Sequence, residues 1–146
     1  MSVARGFEWT EAVTSDLAFV ARGASLEEVF AAAADALVAA TLDEPAALEA
    51  RVEHALRLEE PDLELLLLAF LNELVFLRDA RGWLLRAGKL RIETAPGAAR
   101  LEGSAVGEAI DPARHRLATE VKAATAHGLR VARCGGGWEA HVTLDV

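Results

Sequence analysis

The chain has 146 residues, of which 53% are hydrophobic and 26% charged; that balance excludes disorder and suits one domain, residues 1–146, with a core that needs no disulfide staple. A net charge of −8 repels phosphate backbones, so strong direct nucleic-acid binding is not expected, and a divalent cation or a basic protein partner fits better. The single cysteine, Cys134, forbids an intrachain disulfide and suits a reducing, cytoplasmic setting, and without a secretory signal or a bilayer-length apolar run the protein is expected to be soluble, with no membrane partner.

Leu17–Ala21 reads as a short strand ended by Arg22-Gly23. Ser25-Leu26-Glu27-Glu28 is a capping box, in which the serine hydroxyl accepts a backbone N–H and Glu28 reaches back. The helix it starts runs to about Ala40, with Leu26, Val29, Phe30, Ala33, Leu37 and Val38 on one stripe. Arg51–Leu58 alternates, which predicts a strand burying Val52, His54, Leu56 and Leu58. A core histidine is the expected reading of His54. Glu59-Glu60-Pro61-Asp62 opens a second helix that reaches about Arg78. Apolar residues nearly surround it, interrupted by Asn72 and Glu73, so it belongs at the centre of the core.

Asp79–Gly82 reads as a turn, and Trp83–Leu85, Lys89–Thr94 and Arg100–Gly107 as antiparallel strands parted by Gly and Pro. Asp111–His115 is a loop or a single helical turn that His115 can order by hydrogen bonding. Glu120–Val131 is strand-like with a break near Gly128, Cys134–Gly137 is a hairpin turn, and Trp138, Ala140, Val142 and Leu144 form the apolar face of a last strand. Two helices among these strands give an α+β fold, mainly antiparallel sheet packed with two principal helices.

The end of the chain carries the most chemistry. Asp145 stands one residue from the carboxylate of Val146; carboxylates that close repel unless a cation or a donor lies between them, so the pair reads as half of a hard-metal site. Glu120, Lys122, Thr125 and His127 form a polar cluster. Strand alternation puts the first two on one face and the last two on the other unless a bulge near Ala124 unites them. A strand Glu–Lys pair with a hydrogen-bonded histidine stands beside a functional cluster as the reading, and partner contact is favoured over catalysis because no nucleophile accompanies them. His141 lies at i−4 to Asp145 on the polar face; a plain exposed histidine is expected, with a place near a metal as the alternative. Trp9 is a candidate exposed anchor for a partner.

Taken together, Val13-Thr14-Ser15-Asp16, Gly23, Ser25–Phe30, Phe70, Leu71 and Glu73, then Asp111-Pro112, His115, Thr119–Ala123, Thr125, His127–Leu129, Trp138 and Asp145-Val146 resemble the archease family over nearly the whole chain. The resemblance implies a compact α+β protein that is not itself an enzyme. Such proteins are cofactors of the RtcB-type RNA ligase of tRNA splicing and RNA repair. They promote guanylation of its active-site histidine and so multiple turnover. It also implies a divalent cation, calcium first with magnesium or manganese as alternatives, held by Asp16, Asp145 and Val146. The chain departs from the family at Val13, where the motif has histidine, and at Ala126, where an aromatic is usual. If the missing imidazole only orients a ligand, the cation site persists with lower affinity; if it touches the ligase, activation is affected. The alternatives are a metal-dependent phosphate-ester hydrolase using Asp16 and Asp145, and a chaperone-like binder without a ligase partner.

Overall fold

The structure, a computed structural model, describes residues 3–11 and 16–146. In chain order the elements are β1 (Gly6–Thr10), β2 (Leu17–Gly23), α1 (Leu26–Thr41), a 3-10 turn at Pro45–Ala47, β3 (Val52–Glu60), α2 (Leu63–Arg81), β4 (Trp83–Ala95), β5 (Ala98–Ala109), β6 (Ala123–Cys134) and β7 (Gly137–Asp145). They form two antiparallel sheets, ordered β1-β2-β7-β6 and β3-β5-β4. The expected α+β architecture is therefore the observed one. No helix among the described residues is long and apolar enough to cross a membrane.

Helix α1 starts as its capping box predicts. Ser25 Oγ accepts from the Glu28 N–H at 3.2 Å, and Glu28 reaches back one residue further than expected, accepting from the Ala24 N–H at 3.2 Å. Its alanines let it sink fully, so Ala32, Ala33, Ala34 and Ala36 have no exposed surface. It packs on β2 and β4, while α2 packs on β6 and β4. Phe30 and Phe70 meet between the helices, ring centroids 5.7 Å apart.

Several elements differ from the sequence reading. Strand β1 was not expected. Residues 79–81, expected as a turn, continue α2, where Arg78 and Arg81 face the negative end of the helix dipole and Gly82 caps it. The two strands expected around Gly88 are one, β4, with an irregularity between Ala87 and Leu90. Gly88 marks close approach rather than an end, because a Cβ there would strike Ser104 Oγ of β5. Helix α2 is not apolar-packed all round: Leu66, Leu67, Phe70, Leu71 and Leu74 are buried, but Leu65 and Phe76 are exposed.

The polar interruption in α2 has a partner far away in sequence. Strand β6 is an edge strand, and α2 lies along its open side. The Asn72 side chain acts as a substitute neighbouring strand: the Ala124 N–H donates to its Oδ1 at 2.8 Å, and its Nδ2 donates to the Ala124 carbonyl at 3.1 Å. One end of the same contact is closed by Glu64, whose carboxylate accepts the Val131 N–H at 3.0 Å. Glu27 of α1 does the same for β4, accepting from the Ile92 N–H at 3.0 Å. These bonds satisfy backbone groups that a sheet edge otherwise leaves unpaired.

The two clamps on β6 match in length only because of a bulge. From Glu64 to Asn72 the helix advances ~12 Å. Ala124 and Val131 are seven residues apart, but they pair with Leu144 and Ala140, which are only ~14 Å apart along β7. The surplus residues are taken up between Thr125 and Arg130, where the register shifts and Gly128 adopts φ 66°.

Replacing Asn72 with leucine strands both polar groups of Ala124, a residue only 5% exposed. The expected loss is about 3 kcal/mol in urea unfolding, with Asn72→Asp, which keeps the acceptor, intermediate. Wild-type stability in both variants would contradict the clamp.

Candidate functional site

Strands β2 and β7 pair antiparallel from Gly23↔Trp138 to Leu17↔Leu144. Asp16 immediately precedes β2 and Asp145 follows Leu144, so both lie at the same end of the β2–β7 pair. On the other side of β7, Ala123 pairs with Asp145, and the Lys122 N–H donates to the Asp145 carbonyl at 2.8 Å. Asp16, Lys122 and Asp145 thus lie at one end of the four-stranded sheet. Asp145 is exposed, Asp16 is partly buried, and Val146 is partly buried against the core. Val13, Thr14 and Ser15, which precede Asp16 in the motif, lie outside the described residues.

The donor chemistry at this end is oxygen only: two carboxylates and the backbone oxygens around Val146. That set suits a hard cation such as calcium, magnesium or manganese rather than one preferring nitrogen or sulfur. No three His, Cys, Asp or Glu side chains among the described residues gather into a metal-holding group. Asp16 and Asp145 are two carboxylates among the described residues at this end, and a calcium shell takes about 6–8 oxygens, more than two carboxylates supply.

The polar cluster expected on one strand is divided. Glu120 and Lys122 are exposed and precede β6, which starts at Ala123 and not at Glu120. The segment before it is irregular because its backbone is committed elsewhere. The Ala118 and Thr119 N–H groups cap the last turn of α1, donating to the Thr41 and Ala40 carbonyls at 2.8 and 3.0 Å. Thr125 lies within β6, opposite Thr143, whose carbonyl its hydroxyl reaches at 3.4 Å. His127 is exposed in the bulge. The bulge lies between Thr125 and Arg130 rather than near Ala124, so it swings His127 out and does not unite the four side chains.

What leads the chain to Glu120 is a buried polar knot that sequence reasoning saw only in part. His115 orders its loop as expected, its Nδ1 accepting the Asp111 N–H at 2.9 Å. A ring nitrogen that accepts is unprotonated, so in the neutral ring Nε2 carries the proton. Nε2 lies 3.3 Å from Glu108 Oε2 without good hydrogen-bond geometry. Glu108 is 2% exposed. It accepts from the Arg114 guanidinium and, at 2.5 Å, from the Glu49 N–H, so its charge is compensated. The signal in the sequence was Glu108 itself, an acid near the end of β5 after the apolar and small run from Gly103 to Gly107.

His141 does not belong with Asp145. Four strand residues separate them by ~13 Å, and its Nε2 lies 2.7 Å from Glu139 Oε1. Glu139 also accepts from Arg22 Nε at 2.9 Å, and Arg22 reaches on to Glu8 at 2.5 Å. The chain Glu8–Arg22–Glu139–His141 crosses three strands on the outer face of the sheet. The hydrogen bond from His141, with those from Arg22 and Cys134, holds the Glu139 carboxyl below its ordinary range, against the opposing effect of burial. A carboxyl lowered in the folded state stabilises above its unfolded pKa, about 4.3, and that contribution is lost as pH falls through the lower folded value. Glu139→Gln is expected to cost about 1 kcal/mol at pH 7 and less at pH 3. An equal loss at both pH values in denaturant titrations would contradict this.

Comparison with known proteins follows the geometry. The sequence pattern of the archease protein family (MTH1598/TM1083) matches residues 7–146. Protein archease of Pyrococcus furiosus is 37% identical over 134 residues, covering 91% of this chain and 94% of the relative. The Methanothermobacter thermautotrophicus archease is 35% identical over 142 residues, covering 97% and 99%. The solution structure of Methanobacterium thermoautotrophicum protein 1598 superposes with a TM-score of 0.81 at 35% identity, covering 97% of this chain and 99% of that one. A Thermotoga maritima crystal structure, described as an archease and possible chaperone, shares the fold at 20% identity, with a TM-score of 0.59 over 94% and 95%. The match to the family pattern spans all but the first six residues, and the chain belongs to the archease protein family.

Proposed function

We propose that this protein is a non-catalytic, divalent-metal-binding cofactor of an RtcB-type RNA ligase in the cytoplasm. It promotes guanylation of the ligase's active-site histidine and so sustains multiple turnover in tRNA splicing or RNA repair. The observation that supports the reading most is the β2–β7 register, which brings Asp16 and Asp145 to the same end of the sheet, where the Lys122 N–H also bonds the Asp145 carbonyl. Family membership supports it.

Asp16 and Asp145 hold the cation, with oxygens of Val146 and water completing the shell. When bound, it neutralises the two acids and presents positive charge at the sheet end. Lys122 has its backbone anchored to Asp145 and its side chain exposed, so it is placed to meet the ligase. Thr125 and Glu120 lie on either side of it along the chain, and His127 stands further along β6 as a separate contact. None of these groups needs to do chemistry. A cofactor that binds the guanylation-competent conformation more tightly than its alternative shifts the ligase toward it, and about 1.4 kcal/mol of differential binding gives a tenfold change in population ratio.

Two outcomes are expected. In a multiple-turnover ligation assay with the cognate ligase, this protein raises the number of turnovers per ligase; no stimulation at any stoichiometry would overturn the reading. In calorimetric titration with calcium, Asp16→Asn and Asp145→Asn each weaken binding by at least about tenfold, and unchanged affinity in both would remove the cation site.

A further inference from the structure

Beside the sheet end lies a cleft of about 410 Å³, lined mostly by apolar groups of Thr41, Arg78, Ile110, Leu117, Ala118 and Glu120. Leu117 is 53% exposed, one of the few large apolar side chains left in solvent. Its position is fixed from both sides. Leu117 forms an isolated antiparallel bridge with Leu42, the Asp43 N–H donates to the Arg116 carbonyl at 3.0 Å, and the next two N–H groups cap α1. An apolar surface held this firmly is preformed for binding and has little order left to lose.

The charges at its rim are unequal. The Arg78 guanidinium is already engaged, donating twice to Asp79 Oδ1 at 3.1 and 2.8 Å. Glu120 is exposed and takes part in none of the ion pairs among the described residues. On a chain of net charge −8, the cleft offers an apolar seat beside an uncommitted carboxylate. The complementary occupant is an apolar side chain next to a cationic one.

Resting on the ligase reading above, we infer that this cleft is the docking seat for the ligase, which inserts an apolar side chain against Leu117 and sets a neighbouring arginine or lysine on Glu120. The seat lies two residues along the chain from Lys122, so docking here brings the sheet end with Asp16 and Asp145 against the same partner.

The test uses the full chain with its cognate ligase and the variants Leu117→Glu and Glu120→Lys. Each is expected to weaken ligase binding about tenfold or more and to raise by a similar factor the concentration needed for stimulation, while the melting temperature and the calcium titration stay as in the wild type. Should Leu117→Glu unfold, Ala118→Leu, which fills the exposed cleft without adding charge, is expected to give the same weakening. Stimulation intact in the folded variants overturns the seat and leaves the functional reading standing. A dimer of this chain that Leu117→Glu dissolves, with stimulation unaltered, assigns the cleft to a second copy and likewise overturns it. A wild type that never stimulates overturns the functional reading and the seat together.

Discussion

The amide of Asn72 is the contact on which the site depends. An edge strand leaves one row of its backbone groups without a neighbouring strand, and β6 pairs with only one strand, β7. Helix α2 supplies the missing side with two side chains, Asn72 at Ala124 and Glu64 at Val131. Ala124 is two residues past Lys122 and pairs with Leu144. Fixing it also fixes where the chain enters the sheet, and hence which backbone meets Asp145. A helix whose inner face is otherwise apolar tolerates one asparagine because both of its hydrogen-bonding functions are answered.

Seen from that anchor, the crossing from β5 to β6 is a series of backbone commitments rather than a loose loop. Glu108 and His115 shape its start, α1's last carbonyls hold its middle, and Asp145 takes the Lys122 N–H at its end. With the backbone held this way and Arg114, His115 and Val121 turned to structural contacts, Leu117, Glu120 and Lys122 can all face solvent. The arrangement separates a rigid backbone from a polar and apolar surface available to a partner.

Much of the fold was legible in local pattern. The Ser25–Glu28 box, the alternation of β3 and β7 and the glycine turn between β6 and β7 each announce themselves within a few residues, because capping, pleat and turn are local physics. Strand β1 was not read from the sequence, because the alternation of Phe7 and Trp9 with Glu8 and Thr10 spans only five residues without a turn signal. Asn72 was visible as an interruption and its partner was not, since nothing near it names Ala124. The same holds for the bulge at residues 126–129: its extra length is needed to match strand to helix, a distance no single segment encodes. Glu120 and Lys122 looked like strand for the same reason, because the demand of α1's C-terminus on the neighbouring N–H groups comes from elsewhere in the chain. For the site, the grouping of Asp16 with Asp145 rested on resemblance and on the crowding of acid near Val146, and the pairing of β2 with β7 brings the two residues to the same end of the sheet.

The proposed cation is open to direct measurement. Crystals grown with manganese and measured at its absorption edge test the central claim directly. The account predicts one anomalous peak between the carboxylates of Asp16 and Asp145, about 2–2.5 Å from their oxygens. A peak elsewhere, or Asp16 and Asp145 bridged by a side-chain cation with no anomalous scatterer between them, would contradict it.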